Sequence, residues 1–101
     1  MKRLGVDPAA EEELRAAVAW YEMQRRGLGA RFFTEVGRVL DLILRHPGIG
    51  SPVPRVRAEY GTRRVPLRRF PYFVVYREQG EEIHVVAVAH ASRKPGYWRH
   101  R

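Results

Sequence analysis

The stretch Glu82-Ile-His-Val-Val-Ala-Val-Ala89 decides how this chain must fold. From Ile83 to Val88 it is apolar almost throughout, interrupted only by His84, and it is rich in valine. A run of this length and β-branched content reads as a strand covered on both faces, which places it near the centre of a sheet. Upstream, Tyr72 to Glu78 and Thr62 to Arg69 have the same strand-forming character, with Pro71 and Gln79-Gly80 as punctuation. Pro66 lacks an amide hydrogen, so the first of these strands is expected at an edge or with a bulge. Before them, Gly48 to Pro54 holds two glycines and two prolines and reads as an irregular surface connector.

The N-terminal half follows a different period. Lys2 to Val6 alternates like a short strand, then Asp7-Pro8 supplies a capping side chain and a first-turn proline. From there Ala10, Leu14, Ala17, Val18 and Tyr21 recur at helical spacing, with Glu11, Glu12 and Glu13 near the positive end of the helix dipole. Arg25 to Gly29 breaks this helix. Phe32, Val36, Val39, Leu40 and Ile43 form a second stripe that ends at His46-Pro-Gly. The expected fold is α+β in the order β-α-α-β-β-β, a helical hairpin packed on a mostly antiparallel sheet, forming one domain over residues 1–101.

The 101 residues carry a formal charge of +8, unevenly placed. Residues 1–54 hold 8 Lys and Arg against 7 Asp and Glu, a balance of +1, whereas residues 55–101 hold 11 against 4, a balance of +7. All but Lys2 and Lys94 of these cations are arginines, whose planar forks suit carboxylate and phosphate. A polyanionic or acidic protein partner is therefore expected. With no cysteine there is no disulfide or thiolate metal site, and no apolar run reaches the roughly 20 residues that span a bilayer. The expected location is the cytoplasm, without membrane contact. The four histidines are scattered, which argues against a bound metal, and Gly27-Leu-Gly29 lacks the context of a phosphate loop, so no cofactor is expected.

Two groups of residues bear possible chemistry. Arg63, Arg64, Arg68 and Arg69 lie on or beside the strand beginning at Thr62, while His90, Arg93, Tyr97 and Trp98 follow the central strand. Gathered on one face, the arginines would hold phosphates or carboxylates, and His90 and Tyr97 would move protons, a set suited to phosphodiester cleavage. Residue types alone favour a structural reading: His90 satisfying a strand end, Tyr97 and Trp98 packing the last turn, and the arginines solvated. Trp20 lies off the stripe of its helix and reads as packing or as a partner contact.

The segment Val65-Pro-Leu-Arg-Arg-Phe-Pro-Tyr-Phe-Val-Val-Tyr76, followed by Ile83 to Trp98, resembles the toxins of ParE/RelE type II toxin–antitoxin modules. The likeness extends to the order of elements, the Ala-x-x-Glu-Leu start of the first helix and the His90-x-x-Arg93 turn. It implies a toxin neutralised by a cognate acidic antitoxin. RelE-like members cut messenger RNA on the ribosome; ParE-like members, the plasmid-stabilisation branch, poison DNA gyrase.

In the RNA-cleaving branch, basic residues on the first meander strand, an arginine after the tyrosine of the next strand, and a late arginine and tyrosine hold and cleave the phosphate. This chain keeps Arg64 and Tyr97, but Pro66, Phe73 and Ala91 stand where further cations are expected. Arg68 and Arg93 are the residues that would compensate. The resemblance therefore implies a non-enzymatic gyrase inhibitor, with Arg63, Arg64, Arg68, Arg69, His90, Arg93, Tyr97 and Trp98 contacting target or antitoxin. Its alternative is a ribosome-dependent endoribonuclease using Arg64, Arg68, His90, Arg93 and Tyr97. A third class is a basic nucleic-acid-binding module without toxicity. Exposed apolar groove residues would also favour a homodimer.

Overall fold

Asp7 and Pro8 begin the first helix as their types require. In the computed structural model, which describes residues 2–57 and 61–101, the Asp7 carboxylate accepts from the Ala9 amide at 2.9 Å and Pro8 opens the helix. The chain runs β1 (Arg3–Val6), α1 (Pro8–Gln24), α2 (Leu28–Arg45), β2 (Ser51–Pro52), β3 (Thr62–Pro66), β4 (Tyr72–Gln79) and β5 (Glu82–His90). The sheet order is β1-β5-β4-β3-β2. Only β1 and β5 pair in parallel, since a helical hairpin intervenes between them; the meander from β3 to β5 is antiparallel.

The expected helical hairpin on a mostly antiparallel sheet is thus present, and β5 lies inside the sheet as its apolar run demands. Three boundaries differ. Ser51 and Pro52 pair with Arg64 and Arg63, so the presumed irregular connector supplies a two-residue edge strand. β3 stops at Pro66, beyond the reach of β2, which leaves Arg68 and Arg69 in the following turn. The bulge falls not at Pro66 but between β4 and β5, where the register shifts at Val75 and Tyr76.

Two apolar layers cover the sheet. On the helical side, Ala10 and Ala17 of α1 and Phe32, Val36, Val39 and Ile43 of α2 pack on Val65, Val74, Tyr76, Ile83, Val85 and Val88. Alternate residues of the same strands, Val75, Ala87 and Ala89 with the bulged Val86, face the other way onto Val53 and Trp98. That second layer explains the unbroken apolar run of β5: the C-terminal tail folds back over a face that would otherwise meet water. Tyr76, fully buried, receives the Gly50 amide at 2.9 Å and donates to the Pro47 carbonyl at 2.6 Å, holding the chain after α2 against the sheet.

Candidate functional site

The sequence-predicted site residues divide among four places. Arg64, Arg93 and Trp98 come together with the end of β5 around Phe73 and Ala91, while the His90 ring turns to Tyr72 on the helical side, where it and Arg93 also meet α1. Arg64 stacks on Phe73, its guanidinium carbon 4.0 Å from the ring centre, because the two are diagonal neighbours on one face of β3 and β4, where Arg64 pairs with Val75 and Phe73 with Pro66. The recess between them encloses about 10 Å³, room for a single water at most. Trp98 is 3% exposed and belongs to the second apolar layer. His90 ends β5 with its ring edge-on to Tyr72; its Nδ1 accepts the Ser92 amide at 3.0 Å, which leaves the proton of the neutral ring on Nε2.

Arg63 lies on the helical side of β3 and donates to the Gly50 carbonyl at 2.8 Å. Arg68 and Arg69 sit in the turn after β3, on the rim of an open groove of about 750 Å³ between that turn and α2. They line a different recess from Arg64, His90 and Arg93.

Tyr97 is engaged by a residue that the sequence reading assigned only to the helix dipole. Glu13, on the inward side of α1, receives Tyr97 Oη at 2.6 Å and the Arg101 guanidinium at 2.9 Å, and Arg93 stands 3.5 Å away. The Val88 amide also donates to it at 3.1 Å, an amide freed by the end of the β1–β5 pairing at Val85. Arg93 lies over the Tyr97 ring at 3.6 Å. Burial, then the hydrogen bond to Glu13 and its charge, hold the Tyr97 phenol well above its ordinary value. This tyrosine is a fixed donor to a carboxylate and not a ready proton source. A signal for Glu13 was available: it falls between Ala10 and Ala17 on the buried stripe, where an unpaired carboxylate would be costly. Glu35 repeats the pattern in α2, three residues after Phe32; the hydrogen-bonded Arg38, the Arg68 amide and their charges hold its carboxyl below the usual range against the opposing effect of burial.

Among the described residues, no group of three or more His, Asp or Glu side chains gathers as a metal would need, and no helix is long and apolar enough to cross a membrane. Arg64, His90 and Arg93 therefore offer cations and one imidazole at a nearly filled recess, and the chemistry of Tyr97 is occupied internally.

Known proteins agree with this architecture. The structure of the chromosomal ParDE toxin–antitoxin system from P. aeruginosa superposes with a TM-score of 0.77 at 19% identity, covering 91% of this chain and 98% of that one. The E. coli RelBE toxin–antitoxin complex gives 0.66 at 22% identity over 92% and 100% of the two chains, and the isolated E. coli RelE toxin 0.66 at 23% over 98% and 94%. At these identities the likeness is one of fold. No curated protein sequence matches. The family model described as the ParE toxin of the type II toxin–antitoxin system parDE matches residues 5–95, and the chain belongs to that family.

Proposed function

We propose that this toxin acts by binding DNA gyrase and stalling its cleaved-DNA state, without cutting RNA, and that an acidic antitoxin neutralises it in the cytoplasm. One observation carries the reading: the Glu13 carboxylate takes up Tyr97 and draws Arg93, C-terminal groups that an RNase would need on its substrate, and is further held by Arg101. Phe73, Ala91 and Pro66 add no cation where phosphate contacts are expected. Each charge-assisted contact to a phosphate is worth about 1.5–3 kcal/mol, so losing several lowers a cleavage rate by orders of magnitude. The acidic antitoxin follows from the surplus of arginine, and a segment that folds on binding suits a surface of this kind.

The rival reading, a ribosome-dependent endoribonuclease, rests on Arg64, His90 and Arg93 sharing one recess. A paired assay separates the two. Purified protein is expected to inhibit gyrase supercoiling and to leave ribosome-bound message intact; cut message with unaffected supercoiling would reverse the assignment.

A further inference from the structure

We infer that the recess between α1 and the end of β5 is a binding site for a single nucleotide unit, which it holds without cleaving: the base lies against Trp20 and the phosphate meets Arg93 and His90. The inference stands on the recess alone and needs neither of the targets weighed above.

Trp20 is the starting point. Its indole is 56% exposed and so is no part of the core, and among the described residues its one ring contact is edge-to-face with Tyr21 at 5.1 Å. An open indole beside a concavity is a platform on which a flat ring can stack, and every nucleobase offers such a ring. The concavity encloses about 300 Å³, walled by Ala16, Ala17 and Trp20 of α1 and by Tyr72, His90 and Arg93 around the end of β5. Ala16, one helical turn before Trp20, is too short to cover the space beside the indole.

The second wall supplies partners for an anion. The two contacts of His90 Nδ1 are the Ser92 amide at 3.0 Å and hydroxyl at 2.8 Å, so Nε2 carries the proton of the neutral ring and, among the described residues, has no partner. Glu13 also borders the recess, yet its carboxylate is occupied. Tyr97 Oη at 2.6 Å, Arg101 at 2.9 Å and the Val88 amide at 3.1 Å all lie closer to it than Arg93 at 3.5 Å. Two guanidiniums against one carboxylate leave one positive charge over, and it falls on Arg93, whose side chain is 52% exposed against 21% for Arg101. Stacking over the Tyr97 ring at 3.6 Å holds the Arg93 guanidinium in place, so little ordering remains when a phosphate arrives.

A stacking face next to a fixed cation and an N–H donor matches a base followed by its phosphate. The volume stands at the small end of ligand sites, with room for one such unit and not for a helix or a duplex. Bond cleavage is excluded from the inference because the Tyr97 hydroxyl is committed to Glu13. Arg64 borders the tail-side recess and not this one. A free nucleoside monophosphate and a nucleotide within single-stranded DNA offer the same unit, and the choice of probes separates them.

The test uses the full-length protein with two probes, AMP and a tetrathymidylate, read by quenching of tryptophan fluorescence and by equilibrium dialysis. Saturable binding of at least one probe is expected, weakened by salt; the tighter probe identifies the source, and the tetrathymidylate is recovered uncut. Trp20→Ala should abolish the quench and weaken dialysis binding about tenfold. Arg93→Gln should weaken binding as much while keeping the quench at saturation. Should Arg93→Gln prove misfolded by circular dichroism, Ala16→Leu fills the recess without touching the Glu13 cluster and is expected to weaken binding equally. Arg64→Gln should bind as the unmodified protein does. Absence of saturable binding, unchanged binding by Trp20→Ala and Ala16→Leu, equal weakening by Arg64→Gln, a cut probe, or displacement of AMP by a short glutamate-rich peptide each overturn the inference. Supercoiling is assayed separately, so nucleotide binding with unimpaired gyrase would sink the gyrase reading alone, and gyrase inhibition without nucleotide binding would sink this one alone.

Discussion

Glu13 ties four donors from three parts of the chain to one carboxylate that is only 16% exposed. Glu13→Ala would strand the Val88 amide and leave Arg101 without its anion. It should cost about 1.5–3 kcal/mol, the range for a hydrogen bond to a charged group. Urea unfolding reads this directly, and a change within experimental scatter would show the cluster to be ornamental to stability. Two partners of such networks also set opposite limits in pH. The Tyr97 phenol is raised in the folded state, so its contribution is complete below the ordinary tyrosine value of about 10 and is lost as pH rises through the folded value. The carboxyl of Glu35 is lowered, so its contribution is present above about 4.3 and fades as pH falls through the folded value. Tyr97→Phe should flatten the alkaline limb of a stability profile, and Glu35→Gln the acid limb. Profiles that keep their slopes would refute the assignment of either group.

At the joint between the helices, packing depends on Gly29. A Cβ there would lie 2.6 Å from the Val18 carbonyl and 3.1 Å from Glu22 Cβ, so α1 and α2 approach at this point as only glycine allows. The Glu22 carboxylate completes the joint by accepting the Gly27 and Gly29 amides. Gly29→Ala must open the hairpin, at about 1–3 kcal/mol for an overpacked contact, seen as a lowered thermal midpoint. An unchanged midpoint would mean that the hairpin tolerates the extra atom. The same close pairing shows why some boundaries were legible and others not. The capped start of α1, the breaker at its end and the strand character of β4 and β5 are local signals. β2 is not local: Ser51-Pro52 becomes a strand only because β3 offers it partners at Arg63 and Arg64, and a proline is tolerated at such an edge.

Across the molecule, the C-terminal tail decides what the second face of the sheet presents. Trp98 closes that face, Arg77 donates to the Arg101 carbonyl at 3.1 Å, and Arg101 returns to Glu13, so the tail is fastened from α1 to β4. Trp98→Ala should cost about 3–5 kcal/mol, as removal of a buried aromatic does, and should open the recess beside Arg64. A loss below about 1 kcal/mol, within the range of surface substitutions and small perturbations, would mark the tail as detachable. The charge asymmetry along the chain does not survive as one basic face. Arg64 lies on the tail side and the exposed Arg93 reaches Glu13 of α1, Arg68 and Arg69 join Arg25 and Arg31 from the N-terminal half, and Arg63 bonds inward to Gly50.

The sequence by itself determined the class of fold, the helical hairpin, the central place of Glu82 to Ala89 and membership of a toxin superfamily, because periodicity, capping and turn chemistry act over a few residues. It could not say why that central run is apolar on both faces, since the cover is Trp98 of the tail and becomes visible only when the chain closes on itself. Nor could it sort the arginines. Side chains adjacent in sequence point to opposite sides of a strand, and residues far apart meet in a groove, so which cations share an anion is settled by the tertiary structure alone.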